Sequence, residues 1–484
     1  MRYTTVVRKL AVRAVFANIC LALVAVPAPM AALAQSGNPH RDDRIWGTAI
    51  ATDGSVALVG DFTGTANFGG KSMRSLGAYD GFVSVSNPDG SHRWSRRVGT
   101  PGTDHLWRAE FDLLGSVYVA GVMRGQLTIG AESYGDPLRC SNTDTCQDIS
   151  TIVKFSPDGN VLWKWQRSGD YDEIRDVLVD HQNHLWVADA WRYRIGEGSF
   201  GSRFLRFKPD GTLLAGGAPG SRFSDGLLVY DLSLDSRGDL VASGHFNCIP
   251  KLADSGLRVP AASRGATLVP NAGAAAFDRG GHIINSPRNA FVLKFSPEGV
   301  LRWSTVIGGE SDPSDACCEA LGPTVSLPDG TLLAGIDELK RTYDFHSGRK
   351  NSKRTAIVIS SAGATLGEFR SGSMSGLAAT NQWLVTYPTR GDPAGGQLTL
   401  TRISEAGSVG SDRFTFSTRG LMRLQVTPNG RFVAVFAMWL PNEPPSNQIG
   451  IEGVATLRRA SGARHLVLVG SLDDAVALTW KQSF

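Results

Sequence analysis

Short apolar segments recur along the chain, and Gly, Pro, Asp or Asn bounds each of them. Residues 116–120 read SVYVA and residues 291–295 read FVLKF. Short runs of β-branched and aromatic residues fit the pleated surface of a strand, and the flanking residues favour turns. The pattern therefore predicts an all-β protein built from short strands.

One longer phrase is repeated. Residues 151–163 read TIVKFSPDGNVLW and residues 290–303 read AFVLKFSPEGVLRW, with weaker copies at 81–94 and 203–214. In Pro-Asp-Gly or Pro-Glu-Gly, Pro presets φ to about −65° and Gly accepts positive φ, so the chain reverses into the next strand. Each copy therefore predicts a β-hairpin. Trp94, Trp163 and Trp303 each follow the turn glycine by four residues, which predicts rings that pack between successive units.

Two series of turns alternate along the chain. The hairpin phrase supplies the first series, at Gly90, Gly159, Gly211, Gly299, Gly363, Gly407 and Gly462. A Gly or Asn that precedes an alternating strand supplies the second, near Gly54, Gly115, Asn183, Gly238, Gly330, Asn381 and Gly430. Radial repetition of four-stranded sheets is one way in which an all-β chain protects its edges. We expect a closed β-propeller of four-stranded blades, with seven blades favoured and six to eight compatible with the spacing.

The two ends of the chain bear on how this ring closes. Residues 45–53 and residues 475–480 both resemble the strand that opens later units. One of them is expected to complete a blade built from both termini. An open solenoid would need polar caps, whereas these terminal segments are apolar, and so the closed ring is favoured.

Residues 80–121 carry a resemblance to a known family. They combine a GFVSVS strand, the PDG turn, Trp94 and the GSVYVAG strand. This arrangement resembles the bacterial SBBP family of β-propeller repeats, and the likeness is best over about residues 53–335. The resemblance implies a propeller on exported or surface proteins of bacteria, mostly without an assigned function. It brings no catalytic motif.

The first 34 residues have the pattern of a secretion signal. Four basic residues precede an apolar run at 14–26, and Ala-Leu-Ala ends at residue 34. We expect residues 1–34 to be removed, which leaves residues 35–484 as a single propeller domain with inserted loops at about 130–150, 248–288 and 337–354. The protein is then exported to the periplasm, the cell surface or the exterior of a bacterium.

The charge of the mature chain changes with this assignment. The leader holds four of the 49 basic residues and no acidic ones, so 45 basic and 45 acidic residues remain. A neutral chain lacks the basic footprint of a nucleic-acid-binding protein. No later stretch is apolar and long enough to span a bilayer, so we expect no transmembrane segment.

Five cysteines follow the leader. In an oxidising compartment, disulfides are favoured over metal ligation. Cys140 and Cys146 bracket a polar loop and are predicted to form a local disulfide, and Cys248 is predicted to pair with Cys317 or Cys318. One thiol is left over, and its fate stays open.

Propeller geometry would place a site at one mouth of the central channel, on the innermost strands. The catalytic candidates there are His105, Glu110, Asp176 and Asp231. Converging carboxylates and a His could bind a divalent cation or perform acid–base chemistry, although no cofactor is expected. The competing interpretation is structural, with Asp104, Asp225 and Asp315 accepting backbone N–H bonds within their own turns.

Two function classes follow. The first is a non-catalytic scaffold that displays loops on a rigid ring and binds a protein or a glycan. The second is a hydrolase or lyase with a carboxylate and His site in the channel. Convergence of titratable groups within hydrogen-bond reach would distinguish the second from the first.

Overall fold

The computed structural model describes twenty stretches of the chain. They are residues 43–130, 132–134, 148–168, 173–192, 200–215, 227–246, 276–277, 283–285, 289–307, 319–338, 353–369, 376–387, 396–404, 409–419, 421–427, 431–437, 448–451, 455–458, 465–471 and 481–483. Every helix or strand assigned in these stretches is a β-strand. The predicted all-β class is therefore confirmed.

The first part of the chain contains twelve strands, and ten of them form sheets 1 and 2. In chain order these are β1 (Arg44–Ile50), β2 (Val56–Phe62), β3 (Thr65–Ala66), β4 (Met73–Arg74), β5 (Asp80–Ser86), β6 (His92–Gly99), β7 (His105–Phe111), β8 (Val117–Met123), β9 (Leu127–Ile129), β10 (Glu132–Tyr134), β11 (Ile149–Phe155) and β12 (Val161–Ser168). Sheet 1 runs β1-β2-β5-β6 and is extended by β9 and β10, whereas sheet 2 runs β7-β8-β11-β12. The strands β3 and β4 form a separate small hairpin.

The middle of the chain forms sheets 3 and 4. Its strands are β13 (Glu173–Val179), β14 (Leu185–Arg192), β15 (Phe200–Phe207), β16 (Leu213–Ala215), β17 (Leu227–Leu234), β18 (Leu240–Phe246), β19 (Ala276–Phe277), β20 (Ile283–Asn285), β21 (Asn289–Phe295) and β22 (Leu301–Ile307). Sheet 3 runs β13-β14-β15-β16, and sheet 4 runs β17-β18-β21-β22. The strands β19 and β20 pair with each other and, among the described residues, with no other strand.

The remaining strands form sheets 5, 6 and 7. They are β23 (Glu319–Ser326), β24 (Leu332–Glu338), β25 (Lys353–Ile359), β26 (Thr365–Phe369), β27 (Gly376–Ala379), β28 (Trp383–Tyr387), β29 (Gly396–Ile403), β30 (Val409–Arg419), β31 (Leu421–Val426), β32 (Arg431–Ala437), β33 (Gln448–Ile451), β34 (Ala455–Arg458), β35 (His465–Ser471) and β36 (Lys481–Ser483). Sheet 5 runs β23-β24-β25-β26, sheet 6 runs β27-β28-β29-β30 with β33 and β34 added, and sheet 7 runs β31-β32-β35-β36.

Within the described residues, seven antiparallel sheets thus contain four or more strands. Each takes its four principal strands from one continuous region of the chain, so β1 and β36 lie in different sheets. The expectation of one sheet built from both termini is therefore wrong, because each local hairpin already supplies the next strand of its own sheet. Residues 475–480 lie outside the described residues.

The predicted turn glycines occupy the left-handed region. The hairpin turns at Gly90, Gly159, Gly211, Gly299 and Gly363 have φ between 80° and 89°. The second series has positive φ at Gly54, Gly115, Asn183, Gly238 and Gly330. Asn381 differs from these residues because its φ is not positive. It lies in a turn in which Thr380 N donates to Trp383 O. Gly407, Gly430 and Gly462 lie outside the described residues.

Each repeated Trp packs on the hairpin turn of the following sheet. The Nε1 atoms of Trp94 and Trp163 donate to the carbonyls of Pro157 and Pro209 at 2.8 and 2.9 Å. A Cβ atom added at Gly159 would lie 2.6 Å from the Trp94 ring. The predicted packing between units is confirmed, and it explains why the Trp and the turn glycine recur together.

Three sheets contain a buried ion pair between their third strand and their first turn. Lys154 lies 2.8 Å from Asp112 in sheet 2, and Arg206 lies 2.8 Å from Asp180 in sheet 3. Sheet 4 has Lys294 at 2.5 Å from Asp235. The equivalent positions are Ala51 and Val85 in sheet 1, and Leu327 and Val358 in sheet 5.

The first strands of the sheets lie beside one another. We call β1, β7, β13, β17, β23, β27 and β31 the inner strands. Each contacts the next in chain order, and β31 and β32 contact β1. Thr48 Oγ1 of β1 donates to Gln425 Oε1 of β31 at 3.0 Å, and Val435 of β32 joins the apolar cluster of sheet 1. Sheet 7 therefore packs against sheet 1.

Candidate functional site

The inner strands differ from the strands behind them in exposure. Every side chain of β2, β5, β8 and β11 is buried. In β1, β7 and β13, buried residues are interspersed with partly exposed ones. Because alternate residues of a strand point to opposite faces, the partly exposed side chains share one face and form the candidate surface.

A β-bulge recurs at one position of the inner strands. The pairing register shifts at Trp46 in β1, at Trp107 in β7, at Arg175 in β13 and at Tyr230 in β17. All four side chains are partly exposed. A bulge re-aims the side chain that it inserts. We call Trp46, Trp107, Arg175 and Tyr230 the bulge arc.

The residues directly after three of these bulges connect neighbouring sheets. Arg108 Nε donates to Asp176 Oδ1 at 3.0 Å. Asp176 Oδ2 accepts the backbone N–H of Leu232 at 2.8 Å, and Asp231 Oδ2 accepts that of Thr324 at 2.9 Å. Each aspartate therefore holds the inner strand of the next sheet.

Burial raises the pKa values of the carboxyl groups of Glu110, Asp176 and Asp231, and the charge of Asp176 adds to the shift of the other two. Burial, with the charge of Asp176 as a smaller cause, raises the pKa of Glu110 to about 8. The same two causes raise the pKa of Asp231. Burial also raises the pKa of Asp176, although the Arg108 guanidinium opposes this shift. At neutral pH, Glu110 therefore holds a proton and could act as a hydrogen-bond donor or general acid.

His105 does not join these carboxyl groups. Its Nδ1 lies 2.7 Å from Oδ2 of Asp61, which is fully buried in β2 and also accepts the indole N–H of Trp46. The His105 ring stacks on Trp107 with centroids 5.9 Å apart and lies 6.1 Å from the Tyr79 ring. Three of the four predicted residues thus come together, and His105 belongs to a second group beside them.

Arginine side chains cover aromatic rings along the bulge arc. The Arg44 guanidinium lies 5.8 Å from the Trp46 ring and 5.1 Å from the Tyr79 ring. Arg175 lies 5.6 Å from the Tyr230 ring, and its Nη2 is 2.7 Å from Glu173. Such cation–π contacts add stability and fix the orientation of the rings.

Sequence reasoning missed the bulge arc. Its members differ in residue type, so no repeated letter marks them. The spacing would have found them, because each stands eight residues before the turn Gly or Asn of its unit. Trp46 and Gly54 share this spacing with Arg175 and Asn183.

The structural interpretation of the turn aspartates applies to Asp104. Its carboxylate accepts backbone N–H bonds from Thr100 at 2.5 Å and from Arg124 at 2.8 Å. Burial raises its pKa to about 7 in spite of these bonds. Asp225 and Asp315 lie outside the described residues, as do Cys140, Cys146, Cys248, Cys317 and Cys318.

Two features are absent from the described residues. They contain no group of three or more His, Cys, Asp and Glu side chains that could hold a metal ion. No helix in the same part of the chain has the length and apolar character needed to cross a bilayer. The divalent cation considered above stays a prediction.

Comparison with known proteins gives only distant structural likenesses. No protein-family model and no curated protein matches the chain. It is similar to hydrazine synthase of Kuenenia stuttgartiensis, at 11% identity and a TM-score of 0.44, over 83% of this chain and 95% of that one. It is also similar to a quinohemoprotein alcohol dehydrogenase of Pseudomonas putida HK5, at 14% identity and a TM-score of 0.36, over 76% of this chain and 57% of that one. Likenesses at this level carry no inference, and the SBBP resemblance stays a prediction.

Proposed function

We propose that this chain is an exported, closed, seven-bladed β-propeller that binds a protein or glycan ligand without transforming it. The sequential contacts of the seven inner strands support the ring, and so does the packing of sheet 7 against sheet 1. The leader pattern at 1–34 supports export. In this arrangement, the partly exposed faces of the inner strands line a central channel.

One observation carries the preference for binding over catalysis. The aspartates at the centre of the site hold the next inner strand through its backbone N–H groups, Asp176 through Leu232 and Asp231 through Thr324. A carboxylate whose position is set by two strands serves as a structural link. His105, the strongest base candidate, is directed to Asp61 and away from these carboxyl groups.

One observation favours the second candidate function, a hydrolase or lyase. Glu110 has a pKa of about 8, and no hydrogen bond from a described residue lowers it. A carboxylic acid that stays protonated at neutral pH is suited to general-acid catalysis. The Glu110 carboxyl would then protonate a leaving group in the channel.

The test uses the protein exported from its bacterial host, with its natural leader. N-terminal sequencing is expected to begin at Gln35. A panel of chromogenic glycosides, esters and uronate polymers is then incubated with this protein and with the Glu110→Gln variant. We expect no turnover by either protein. Turnover that is abolished in Glu110→Gln would overturn the binding proposal in favour of the enzyme.

A further inference from the structure

We propose that the bulge arc is a binding site for a neutral oligosaccharide. The inference rests on the proposed binding function and moves the ligand from the loops to the inner strands. The first observation is that the same backbone feature, a β-bulge, recurs. The same bulge aims Trp46, Trp107, Arg175 and Tyr230 from four successive inner strands that contact one another.

The first two members of the arc stand close together. Gly47 follows the bulge of β1, and a Cβ atom there would lie 2.6 Å from the backbone oxygen of Trp107. Only a glycine lets the backbones of β1 and β7 approach this far. Trp46 and Trp107 therefore lie on adjacent strands whose backbones approach closely beside them.

The rings of the arc are held before any ligand arrives. The indole N–H of Trp46 donates to Asp61, and that of Trp107 donates to the Ile174 carbonyl at 2.7 Å. These two bonds fix the rings. Arg44 lies over the Trp46 ring and His105 stacks on Trp107, and the partly exposed remainder of each ring is the contact surface. Rigid aromatic side chains lose little entropy on binding. Such rings stack on the polarised C–H face of a pyranose.

The charges around the arc are nearly balanced, which selects against polyanions. Arg175 is paired with Glu173, and Arg108 is paired with Asp176. Glu110 is protonated at neutral pH. An acidic glycan or a nucleic acid would therefore gain little net attraction. The guanidinium N–H groups, the imidazole and the carboxylate oxygens can instead exchange hydrogen bonds with sugar hydroxyls.

The arc also lacks the apolar surroundings that a protein partner would use. The core of a protein interface is contiguous and depleted of charged residues. The large apolar side chains that are exposed among the described residues lie on loops and outermost strands, at Leu76, Leu113, Leu114, Leu162, Leu214 and Leu366. In the arc, Arg175 stands among three rings, and Arg44 lies over the Trp46 ring. A sugar chain, which alternates apolar faces with hydroxyls, fits this pattern better than a peptide does.

The test measures binding of three neutral probes, cellohexaose, maltohexaose and xylohexaose, and of one charged probe, polygalacturonate, by isothermal titration calorimetry. The exported protein is compared with the Trp107→Ala and Tyr230→Ala variants. Trp165→Ala is the matched control, because Trp165 is a partly exposed Trp on the outermost strand β12. Circular dichroism and a melting curve establish that each variant is folded. If Trp107→Ala does not fold, binding is measured with Trp107→Phe and Tyr230→Ala instead.

We expect at least one neutral hexaose to bind, and we expect about a tenfold or larger loss of affinity in both alanine variants but not in Trp165→Ala. Equal affinity in all variants would place the sugar site elsewhere, which overturns the inference and leaves the binding function standing. If polygalacturonate alone binds, and its binding weakens with salt, the inference that the ligand is neutral is overturned. If none of the four probes binds, the inference that the ligand is a glycan is overturned. Hydrolysis of a probe would overturn the proposed function itself.

Discussion

The outer hairpins and the inner strands repeat in different ways. In the outer hairpins the same residue types return, so Trp94 and Trp163 each pack on the turn glycine of the next sheet. In the inner strands the backbone bulge returns but its side chain changes, from Trp107 to Arg175. The Trp recurs where its ring packs on the turn of the next sheet, whereas the partly exposed bulge position carries a different residue in successive sheets. The contrast teaches that a ligand site is best sought where the backbone repeats and the residues do not.

The buried ion pairs sharpen this comparison within the packing region. Sheets 2, 3 and 4 combine an aspartate with a Lys or Arg, whereas sheets 1 and 5 have two apolar residues at the same places. The two positions change together. A buried pair and a well-packed apolar pair are often similar in stability, but half a pair is costly.

The largest expected effect comes from breaking one such pair. Asp112→Ala leaves the buried Lys154 ammonium unpaired, and we expect the free energy of unfolding to fall by about 3–5 kcal/mol. The double variant Asp112→Ala/Lys154→Val copies Ala51 and Val85 of sheet 1, and it should recover most of the loss. Urea denaturation measures both. If the double variant is no more stable than Asp112→Ala, an apolar pair cannot replace the ion pair at these two positions.

A hairpin turn gives the next largest effect. At Gly159, φ is 80° and a Cβ atom would meet the Trp94 ring at 2.6 Å. Gly159→Ala should therefore lower the free energy of unfolding by about 1–2 kcal/mol from backbone strain and further through the displaced indole. Gly130→Ala is the matched control, since φ is 62° and nothing lies within 4 Å. Equal losses in urea denaturation would show that the Trp contact does not matter.

The third prediction concerns the pH dependence of stability that Glu110 of the inner strand β7 should cause. The pKa of Glu110 rises from 4.5 to about 8 on folding, so the folded protein binds the proton more tightly. This contribution to stability is complete below about pH 4.5 and is lost as the pH rises to about 8. Glu110→Gln should therefore be relatively more stable than the parent at pH 8.5 than at pH 5.

Melting temperatures between pH 5 and pH 8.5 test this expectation. Glu298→Gln serves as the control, because the hydroxyl of Ser296 lowers the pKa of that exposed residue and its titration falls below the window. Parallel pH profiles for the parent and Glu110→Gln would show that Glu110 titrates normally in the folded protein.

The smallest expected losses of stability come from Asp176 and Asp231, the two aspartates that link neighbouring sheets, and they should differ between the two residues. An amide oxygen can still accept the N–H of Thr324, so Asp231→Asn should change the free energy of unfolding by less than about 1 kcal/mol at pH 6. Asp176→Asn also removes the charge that partners Arg108, and it should cost more. Chemical denaturation of the two variants at one pH decides the order. A larger loss in Asp231→Asn would contradict it.

Much of the fold was predictable because it depends on short-range chemistry. The Pro-Asp-Gly turns need only a residue that accepts positive φ, so Gly90 and Gly159 mark hairpins from their neighbours alone. The repeated Trp could be placed between units for the same reason. The partner of His105 was not predictable. His105 and Arg108 lie on the same strand, but they contact residues of different sheets.

The sequence alone thus determined the all-β class, the four-stranded units and the positions of the turns, since these follow from local conformational preference and repetition. Only the tertiary structure decided which partners the residues of the candidate site contact. His105 meets Asp61, 44 residues away, and Arg108 meets Asp176, 68 residues away. Both contacts depend on how neighbouring sheets pack and on a bulge that shifts the register by one residue. The position of that shift follows from its spacing to the turn, but the partners that it brings together depend on how the sheets pack.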